Sequence, residues 1–268
     1  MVTWNSGQYL KFQRERTQPA IDLAARIAPD GVRKVLDVGC GPGNSTRVLA
    51  DRFPRAAILG VDSSEAMIET ARADHPALRF ALCDAARDLG GLDRDFDVVF
   101  SNACIQWVPD HPKLLRELLG LLRPGGVLAI QTPMNHDEPI HQIIEELTSG
   151  KWKGAFENPR IFYNLSPGRY FDLLDDIAAD FTLWRTAYLH VLDSHAAIME
   201  WYRGTGLRPY LQALPAEEAA AFERDVFERV AAAYPAQRNG KVIFPFPRFF
   251  ILAHPADGSS RPSAAPSP

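Results

Sequence analysis

The chain has 268 residues, of which 46% are hydrophobic and 23% charged, a composition typical of a globular protein with a sizeable core. Its formal net charge of -4 excludes the broad positive surface with which many proteins bind nucleic acids or anionic membranes. Three cysteines, Cys40, Cys83 and Cys104, have no Cys-x-x-Cys spacing. They predict reduced thiols in a cytoplasmic protein, without a disulfide framework or a zinc site.

Strands and helices alternate through the first half of the chain. Short apolar runs predict strands at residues 34–39, 57–61, 79–82, 97–100 and 127–131. Helical patterns lie between them at residues 44–53, 65–74 and 114–122, and the sequence Pro124-Gly125-Gly126 is expected to end the last of these helices. This alternation is typical of βαβ units and predicts an α/β fold with a mostly parallel sheet.

The second half of the chain has a different pattern. Residues 137–170 show no clean period, and we expect a helix followed by a mobile loop over the active site. Residues 182–192 and 248–254 read as strands, and residues 194–233 read as mostly helical with breaks at 204–209 and 215. The Pro/Ser/Ala-rich tail, residues 256–268, is expected to be disordered.

A glycine loop follows the first predicted strand, in the sequence Asp37-Val38-Gly39-Cys40-Gly41-Pro42-Gly43-Asn44-Ser45. Glycines between a strand and a helix let the backbone approach a ligand closely. The spacing is Gly-x-Gly-x-Gly, whereas dinucleotide-binding loops have Gly-x-Gly-x-x-Gly. Asp37 would repel a pyrophosphate but attract an ammonium group. S-adenosylmethionine carries an ammonium and a sulfonium and no phosphate, so the charge pattern favours that cofactor.

Two more acidic residues follow the next two predicted strands. Asp62 stands where an acid that accepts hydrogen bonds from both ribose hydroxyls is expected. Asp84 can accept a hydrogen bond from the adenine amino group, with the backbone amide of Ala85 beside it, or it can cap a helix. Three acids at three successive strand ends favour a nucleoside-binding edge of the sheet.

These motifs resemble the class I S-adenosylmethionine-dependent methyltransferases and, more narrowly, the trans-aconitate 2-methyltransferase family. The resemblance lies in WNSGQYLKF, GCGPGNST, GVDSSEAMI, SNACIQWVPDH, WRTAYLH, TGLRPYL and FPRFFILA, and it runs almost from end to end. It implies a Rossmann-like fold with a seven-stranded sheet and helices on both faces. Residues 1–255 would form one domain, with an N-terminal helical cap at 1–30 and a helical insertion at 193–242 that shapes part of the substrate pocket.

The resemblance also implies which residues bind the cofactor. The expected set is Trp4, Tyr9, Arg16, Asp37, Gly39, Cys40, Gly41, Asn44, Asp62, Ser63, Met67, Cys83, Asp84, Ala85, Asn102, Ala103 and Trp107. After methyl transfer the bound product would be S-adenosylhomocysteine. For Trp4, Tyr9 and Arg16, ordinary packing of a surface helix on the core is the alternative interpretation.

The acceptor is expected to be a small polycarboxylic acid such as trans-aconitate, methylated to an ester. A carboxylate is already ionised at neutral pH, so no catalytic base is expected and orientation supplies the rate enhancement. The substrate-binding prediction comprises Gln106, Trp107, Tyr188, Trp201, Arg208 and Arg248. The two arginines would hold the carboxylates that do not react, or else form ordinary ion pairs. Trp107 is equally well interpreted as a packing aromatic.

Other functions remain open at this point. A different small acid or natural product as acceptor, a nicotinamide-dependent oxidoreductase, and a non-catalytic cofactor-binding protein are the alternatives. The histidines have no metal-ligand spacing such as His-Glu-x-x-His, so no metal is expected. Partners are expected to be small molecules, with no nucleic acid and no membrane, in a monomer or weak homo-oligomer.

Overall fold

The structure, a computed structural model, describes residues 13–156 and 162–256. The strands and helices of the first half are α1 (Gln13–Ala25), β1 (Lys34–Val38), α2 (Asn44–Arg52), β2 (Ala57–Asp62), α3 (Glu65–Asp74), β3 (Arg79–Leu82), β4 (Phe96–Asn102), α4 (His111–Leu119) and β5 (Leu122–Pro133). The second half contributes α5 (Pro139–Ser149), α6 (Pro167–Ile177), β6 (Ala178–Leu192), α7 (His195–Arg203), α8 (Arg208–Ala213), α9 (Ala216–Ala233) and β7 (Val242–Pro255).

Seven strands of the described residues form one sheet in the order β3-β2-β1-β4-β5-β7-β6. The pairs β1–β2, β1–β4, β2–β3 and β4–β5 are parallel. This confirms the predicted Rossmann-like α/β architecture. Since the chain order reverses between β1 and β4, the carboxyl ends of these two strands define the edge where open α/β sheets bind ligands.

The contacts between residues divide the chain into two compact units. Of the described residues, one unit comprises 17–132, 162–185 and 249–256, and the other comprises 13–16, 133–156 and 186–248. The first unit contains β1 to β4, most of β5, and the glycine loop. The second contains α5, α7, α8 and α9. Buried side chains of α5, α7 and α9 form an aromatic-rich core with Phe244 of β7, and partly buried side chains of α8 pack against it.

Several predicted boundaries were wrong. The helix expected at residues 114–122 begins at His111 and ends at Leu119, and Pro124, Gly125 and Gly126 lie within β5. The register between β4 and β5 shifts between Phe96 and Val98, which accommodates these residues in the strand. Likewise β7 begins at Val242, so Arg248 lies in the middle of the strand and does not begin it. Local breakers alone gave the wrong boundaries because strand pairing overrides them.

Candidate cofactor and acceptor site

The glycine loop leaves β1 through three residues with positive φ. The φ values are 74° for Gly39, 54° for Gly41 and 95° for Gly43, a region that side chains other than glycine's rarely adopt. The amides of Gly39 and Cys40 donate to the carbonyl of Val61 at 2.8 and 2.9 Å, which ties the loop to the end of β2. A Cβ at Gly41 would meet no described atom within 4 Å, so the loop has open space at this residue.

Asp37 is completely buried at the end of β1. One carboxylate oxygen, Oδ2, accepts hydrogen bonds from Ser45 Oγ at 2.7 Å and Thr46 Oγ1 at 2.6 Å, both from the first turn of α2. The other oxygen, Oδ1, has no hydrogen-bond partner among the described residues. Burial raises the pKa of this carboxyl from 3.8 to about 6, although the two hydroxyls lower it.

Asp62 connects the glycine loop to the start of α3. Its Oδ2 accepts a hydrogen bond from the amide of Gly41 at 3.0 Å, and its Oδ1 accepts one from the amide of Ser64 at 2.9 Å. Each carboxylate oxygen can accept more than one hydrogen bond, so the carboxylate keeps capacity for hydroxyl donors. Asp62 therefore shapes the glycine loop in addition to the ribose-binding role that its position suggests.

Asp84 caps a turn after β3. Its carboxylate accepts from the amide of Ala86 at 2.9 Å and forms an ion pair with Arg87 at 2.7 Å. The hydrogen bond from Ala86 and the Arg87 side chain lower the pKa of Asp84. The residues that follow Asp84 form turns, so Asp84 is not the helix cap that the sequence offered as the alternative, and its adenine-binding role stays a prediction.

The segment after β4, residues 103–107, forms the rim of the site. Ala103 has a φ of 54°, an unusual conformation for a residue with a side chain, and its amide donates to the carbonyl of Gln131 at 2.8 Å. Gln106 is buried, and its Nε2 donates to the carbonyl of Ala103 at 2.7 Å. Gln106 Oε1 lies 3.1 Å from Thr132 Oγ1. The Gln106 side chain therefore holds the rim in shape, although sequence reasoning placed it among the substrate contacts.

Trp107 ends this rim and remains 40% exposed. Its ring packs against Phe162 with 4.9 Å between the centroids. The next residue, Tyr163, donates its amide to the carbonyl of Gln106 at 3.0 Å. Residues 162 and 163 thus dock on the rim, and together with Trp107 they form a group of three partly exposed aromatic side chains.

A buried histidine supports the rim from below. His111 Nε2 lies 2.9 Å from the carbonyl of Ile105, and its Nδ1 lies 2.7 Å from the hydroxyl of Tyr170. A carbonyl can only accept, so Nε2 carries the proton and Tyr170 donates to Nδ1. Burial lowers the pKa of His111, which keeps the ring neutral.

The second unit brings three of the predicted substrate residues together. His190 stacks with Tyr188 at 6.5 Å and packs against Trp201 at 4.8 Å between centroids. Phe246 lies 5.8 Å from the Trp201 ring, and the Arg248 guanidinium lies 4.2 Å above the Phe246 ring. Arg248 is only 5% exposed. We call these five residues the Arg248 cluster.

Charge and burial act together on the histidine of the Arg248 cluster. Burial is the main cause that lowers the pKa of His190 to about 4, and the nearby positive charge of Arg248 adds to it. His190 is therefore neutral at physiological pH, and the guanidinium is the cation of the cluster. Such a planar cation beside aromatic rings suits a bidentate contact with a carboxylate.

The remaining predicted residues fall in different places. Arg208 begins α8 and is half-buried, and its role in binding the acceptor stays a prediction. Trp4 and Tyr9 lie outside the described residues, and only the backbone of Arg16, in α1, is described. The others border the three strand ends: Asn44 begins α2, Ser63 follows β2, the Met67 amide donates to Ser64 Oγ, and Cys83 and Ala85 are buried after β3.

Sequence reasoning missed two sets of residues. Ser45 and Thr46 were visible as hydroxyls directly after the glycine loop, a signal that a buried carboxylate in β1 has local donors. Gln131 gave no such signal, because its position beside Asn102 depends on the pairing of β4 with β5.

The described part of the chain offers neither a reactive cysteine nor a metal site. The three cysteines are free, and burial raises the pKa of Cys104 to about 12, so its thiol is a poor nucleophile. Within residues 13–156 and 162–256, no group of three or more acidic, histidine or cysteine side chains is arranged to hold a metal ion. No helix in these ranges has the length and apolarity needed to cross a membrane.

Comparison with known proteins gives concordant results. A family model described as a methyltransferase domain matches residues 35–126. A trans-aconitate 2-methyltransferase of Methylobacterium radiotolerans is 45% identical over 96% of this chain and 100% of its own length. Another, from an Azoarcus species, is 46% identical over 94% of this chain and 99% of its own length.

Solved structures agree with the fold. The YcgJ protein of Bacillus subtilis covers 91% of this chain and 100% of its own, with 15% identity and a TM-score of 0.60. A phosphoethanolamine methyltransferase of Haemonchus contortus, solved with S-adenosylhomocysteine, has 17% identity and a TM-score of 0.54, over 89% of this chain and 53% of its own. At these identities the likeness shows the fold alone.

Proposed function

Because the chain belongs to the trans-aconitate 2-methyltransferase family, we propose that it methylates a carboxylate of a small polycarboxylic acid, with trans-aconitate as the first candidate. The chain is an S-adenosylmethionine-dependent methyltransferase. The observation that carries the choice of acceptor is the identity of 45% with a relative of that name along that relative's whole length. The same identity argues against the alternative of a nicotinamide-dependent oxidoreductase.

The residues of the first unit fit the cofactor. Asp37 Oδ1 is a buried acceptor without a described partner, and Gly41 has open space beside it. We propose that Asp37 receives the ammonium group, that Asp62 accepts from the ribose hydroxyls, and that the rest of the predicted set lines the same edge. When bound, S-adenosylmethionine supplies an electrophilic methyl group, so that an oxygen–carbon bond forms while the sulfur–carbon bond breaks and its electron pair neutralises the sulfonium.

The protein's own task is to orient the two reactants and to exclude water from them. The acceptor carboxylate is ionised at neutral pH, so no proton has to be moved. Holding two reactants in line contributes about 7–11 kcal/mol in favourable cases. The rim at 103–107 is held by Gln106, His111 and Tyr163, which gives it the fixed geometry that this kind of catalysis requires.

The carboxylates that do not react need a cation. We propose that Arg248 and Arg208 bind them, with Tyr188 and Trp201 as apolar walls. Support comes from the Arg248 cluster, where a nearly buried guanidinium lies among aromatic rings and beside a neutral histidine. Low exposure strengthens a charge-assisted contact by lowering the local dielectric constant.

The experiment that tests the proposed function uses labelled S-adenosylmethionine and a panel of di- and tricarboxylic acids. We expect one labelled methyl ester, identified by mass spectrometry, with trans-aconitate at or near the top of the panel. Labelling of a monocarboxylic or natural-product acceptor only would replace the polycarboxylate assignment. Binding of S-adenosylhomocysteine without turnover on any acceptor would favour the non-catalytic alternative.

A further inference from the structure

One buried polar side chain near the rim has no role in the contacts described so far. Gln131 lies near the carboxyl end of β5, and its side chain is completely buried. Neither its Oε1 nor its Nε2 has a hydrogen-bond partner among the described residues. Burying an unsatisfied amide costs free energy, so such groups are rare in folded proteins and often belong to a functional site.

The neighbouring strand places a second amide beside it. In the register of the parallel pair, Asn102 of β4 is the partner of Gln131, so both side chains point to the same face of the sheet, and their strands lie about 4.8 Å apart. Asn102 Oδ1 is also buried without a described partner. Two adjacent carboxamides with unsatisfied atoms therefore lie on one face at the ligand-binding edge.

The strand order indicates which ligand Gln131 faces. Most of the cofactor residues proposed above follow β1, β2 and β3, which occupy one half of the sheet, and three others, Asn102, Ala103 and Trp107, lie at the end of β4 and on the rim. β5 lies two strands beyond β1 in the other direction. The rim at 103–107, whose Ala103 amide donates to the Gln131 carbonyl, lies between these two halves in the strand order. Gln131 is thus on the acceptor side of the rim, whereas Asn102 remains in the proposed cofactor set.

We infer that Gln131 binds the carboxylate of the acceptor that receives the methyl group, next to Asn102 of the proposed cofactor set. This inference rests on the proposed function. The reacting oxygen must remain a nucleophile, and an ion pair with an arginine would stabilise its charge before the transition state. A neutral amide donates a weaker hydrogen bond than a cation does. Gln131 Nε2 therefore orients the carboxylate with less loss of reactivity.

The test compares Gln131→Met with the wild-type chain in three measurements. Methionine has nearly the same length and is apolar, so it removes the unsatisfied atoms without opening a large cavity. We expect kcat/KM for trans-aconitate to fall about tenfold or more, because a hydrogen bond to a charged group is lost. We expect the affinity for S-adenosylhomocysteine, measured by calorimetry, to stay within about twofold, because the inference places Gln131 at the acceptor and not at the cofactor. A change of that size lies within the usual scatter for independent sites. The melting temperature without ligands should be unchanged or higher.

The third measurement separates ligand binding from a structural role. If Gln131 supports the fold through hydrogen bonds, Gln131→Met lowers the melting temperature and leaves the kinetics at wild-type values, which overturns the inference. Weaker binding of S-adenosylhomocysteine with unchanged acceptor kinetics overturns it too, by assigning the amide to the cofactor. Wild-type protein that neither methylates nor binds any polycarboxylate removes the proposed function as well. Wild-type activity with an unaffected variant removes the inference only.

A matched control uses Gln106, a buried amide within the rim. Gln106 already has hydrogen-bond partners at both ends of its side chain. We expect Gln106→Met to lower the melting temperature, in contrast to Gln131→Met. The same direction of change in both variants would overturn the distinction between a structural amide and a ligand-binding one.

Discussion

Gly39 and Cys104 approach each other so closely that no side chain fits at position 39. A Cβ built on Gly39 would lie 2.2 Å from Cys104 Sγ, far inside van der Waals contact. The glycine loop after β1 and the rim after β4 are therefore packed directly on one another. This contact explains why a glycine is required there beyond its positive φ of 74°, and it couples the shape of the cofactor loop to that of the rim.

The first prediction compares Gly39→Ala with Gly31→Ala. Both glycines have positive φ, 74° and 80°, but Gly31 has no described atom within 4 Å of an added Cβ. Both variants should lose about 1–2 kcal/mol of stability from the backbone conformation. Only Gly39→Ala should lose about 1–3 kcal/mol more from overpacking and bind S-adenosylhomocysteine weakly. Urea unfolding and calorimetry measure the two effects, and equal losses in both variants would show that Cys104 simply moves away.

The second prediction concerns the pH dependence caused by Asp37. Its pKa is raised from 3.8 to about 6 in the folded chain, so the folded state holds the proton more tightly than the unfolded state. The ligand-free protein should therefore lose about 3 kcal/mol of stability as pH rises from about 4 to about 6, and no more above that. Asp37→Asn should abolish this loss, as measured by urea unfolding between pH 4 and pH 8.

Asp37 has an opposite effect on ligand binding. An ammonium group requires the ionised carboxylate, so affinity for S-adenosylhomocysteine should increase as pH rises through about 6. In Asp37→Asn the affinity should be weaker and nearly independent of pH in this window. If the variant keeps the wild-type pH profile of binding, the ammonium group binds elsewhere.

The fold and the cofactor edge were predictable from sequence because their signals are local. The glycine loop, Asp62 and Asp84 each follow an apolar run, and parallel strands bring such positions to one edge of the sheet. What could not be predicted depends on pairing between distant segments. The extension of β5 through Pro124, the stacking of Trp107 on Phe162 and the amide pair of Gln131 with Asn102 appear only once register is known.

The Arg248 cluster, too, was predictable from the sequence only in part. Tyr188, Trp201 and Arg248 were selected from three separate segments, and the structure brings them together around His190 and Phe246. Arg208 was selected because a turn fixes its backbone; it begins α8, and its role in binding the acceptor stays a prediction.

The third prediction is that Asp62→Ala weakens binding of S-adenosylhomocysteine by about 1.5–3 kcal/mol through loss of charge-assisted hydrogen bonds. Asp62 also accepts from the amides of Gly41 and Ser64, so a loosened loop would weaken binding too. A double-mutant cycle that combines Asp62→Ala with the 2′-deoxy analogue of S-adenosylhomocysteine separates the loss of the ribose contact from the loosening of the loop. If Asp62 binds the ribose, removing the 2′-hydroxyl should cost little more in the variant. Fully additive losses would leave only the loop-shaping role.

The fourth prediction concerns Gly41, where an added Cβ meets no described atom within 4 Å but φ is 54°. Gly41→Val should weaken S-adenosylhomocysteine binding more than Gly41→Ala does, because the β-branched side chain occupies space that the methionine part of the ligand needs. Stability should fall in both variants, since neither residue favours positive φ. Calorimetry with equal affinities for the two variants would place the ligand away from this loop.

The last prediction tests the proposed cations. Arg248→Lys and Arg208→Lys should each raise the KM for the acceptor about tenfold or more, because lysine cannot reproduce the planar fork of a bidentate contact, while the affinity for S-adenosylhomocysteine stays unchanged. Arg203→Lys is the matched control, since Arg203 is exposed on α7 and pairs with Glu223. For Arg248 a second measurement is available: removing its charge with Arg248→Met should raise the pKa of His190 above about 4, as followed by NMR titration. If the KM for the acceptor stays at the wild-type value in both lysine variants, the polycarboxylate contacts lie elsewhere. If the pKa of His190 is unchanged in Arg248→Met, the charge of Arg248 does not act on His190.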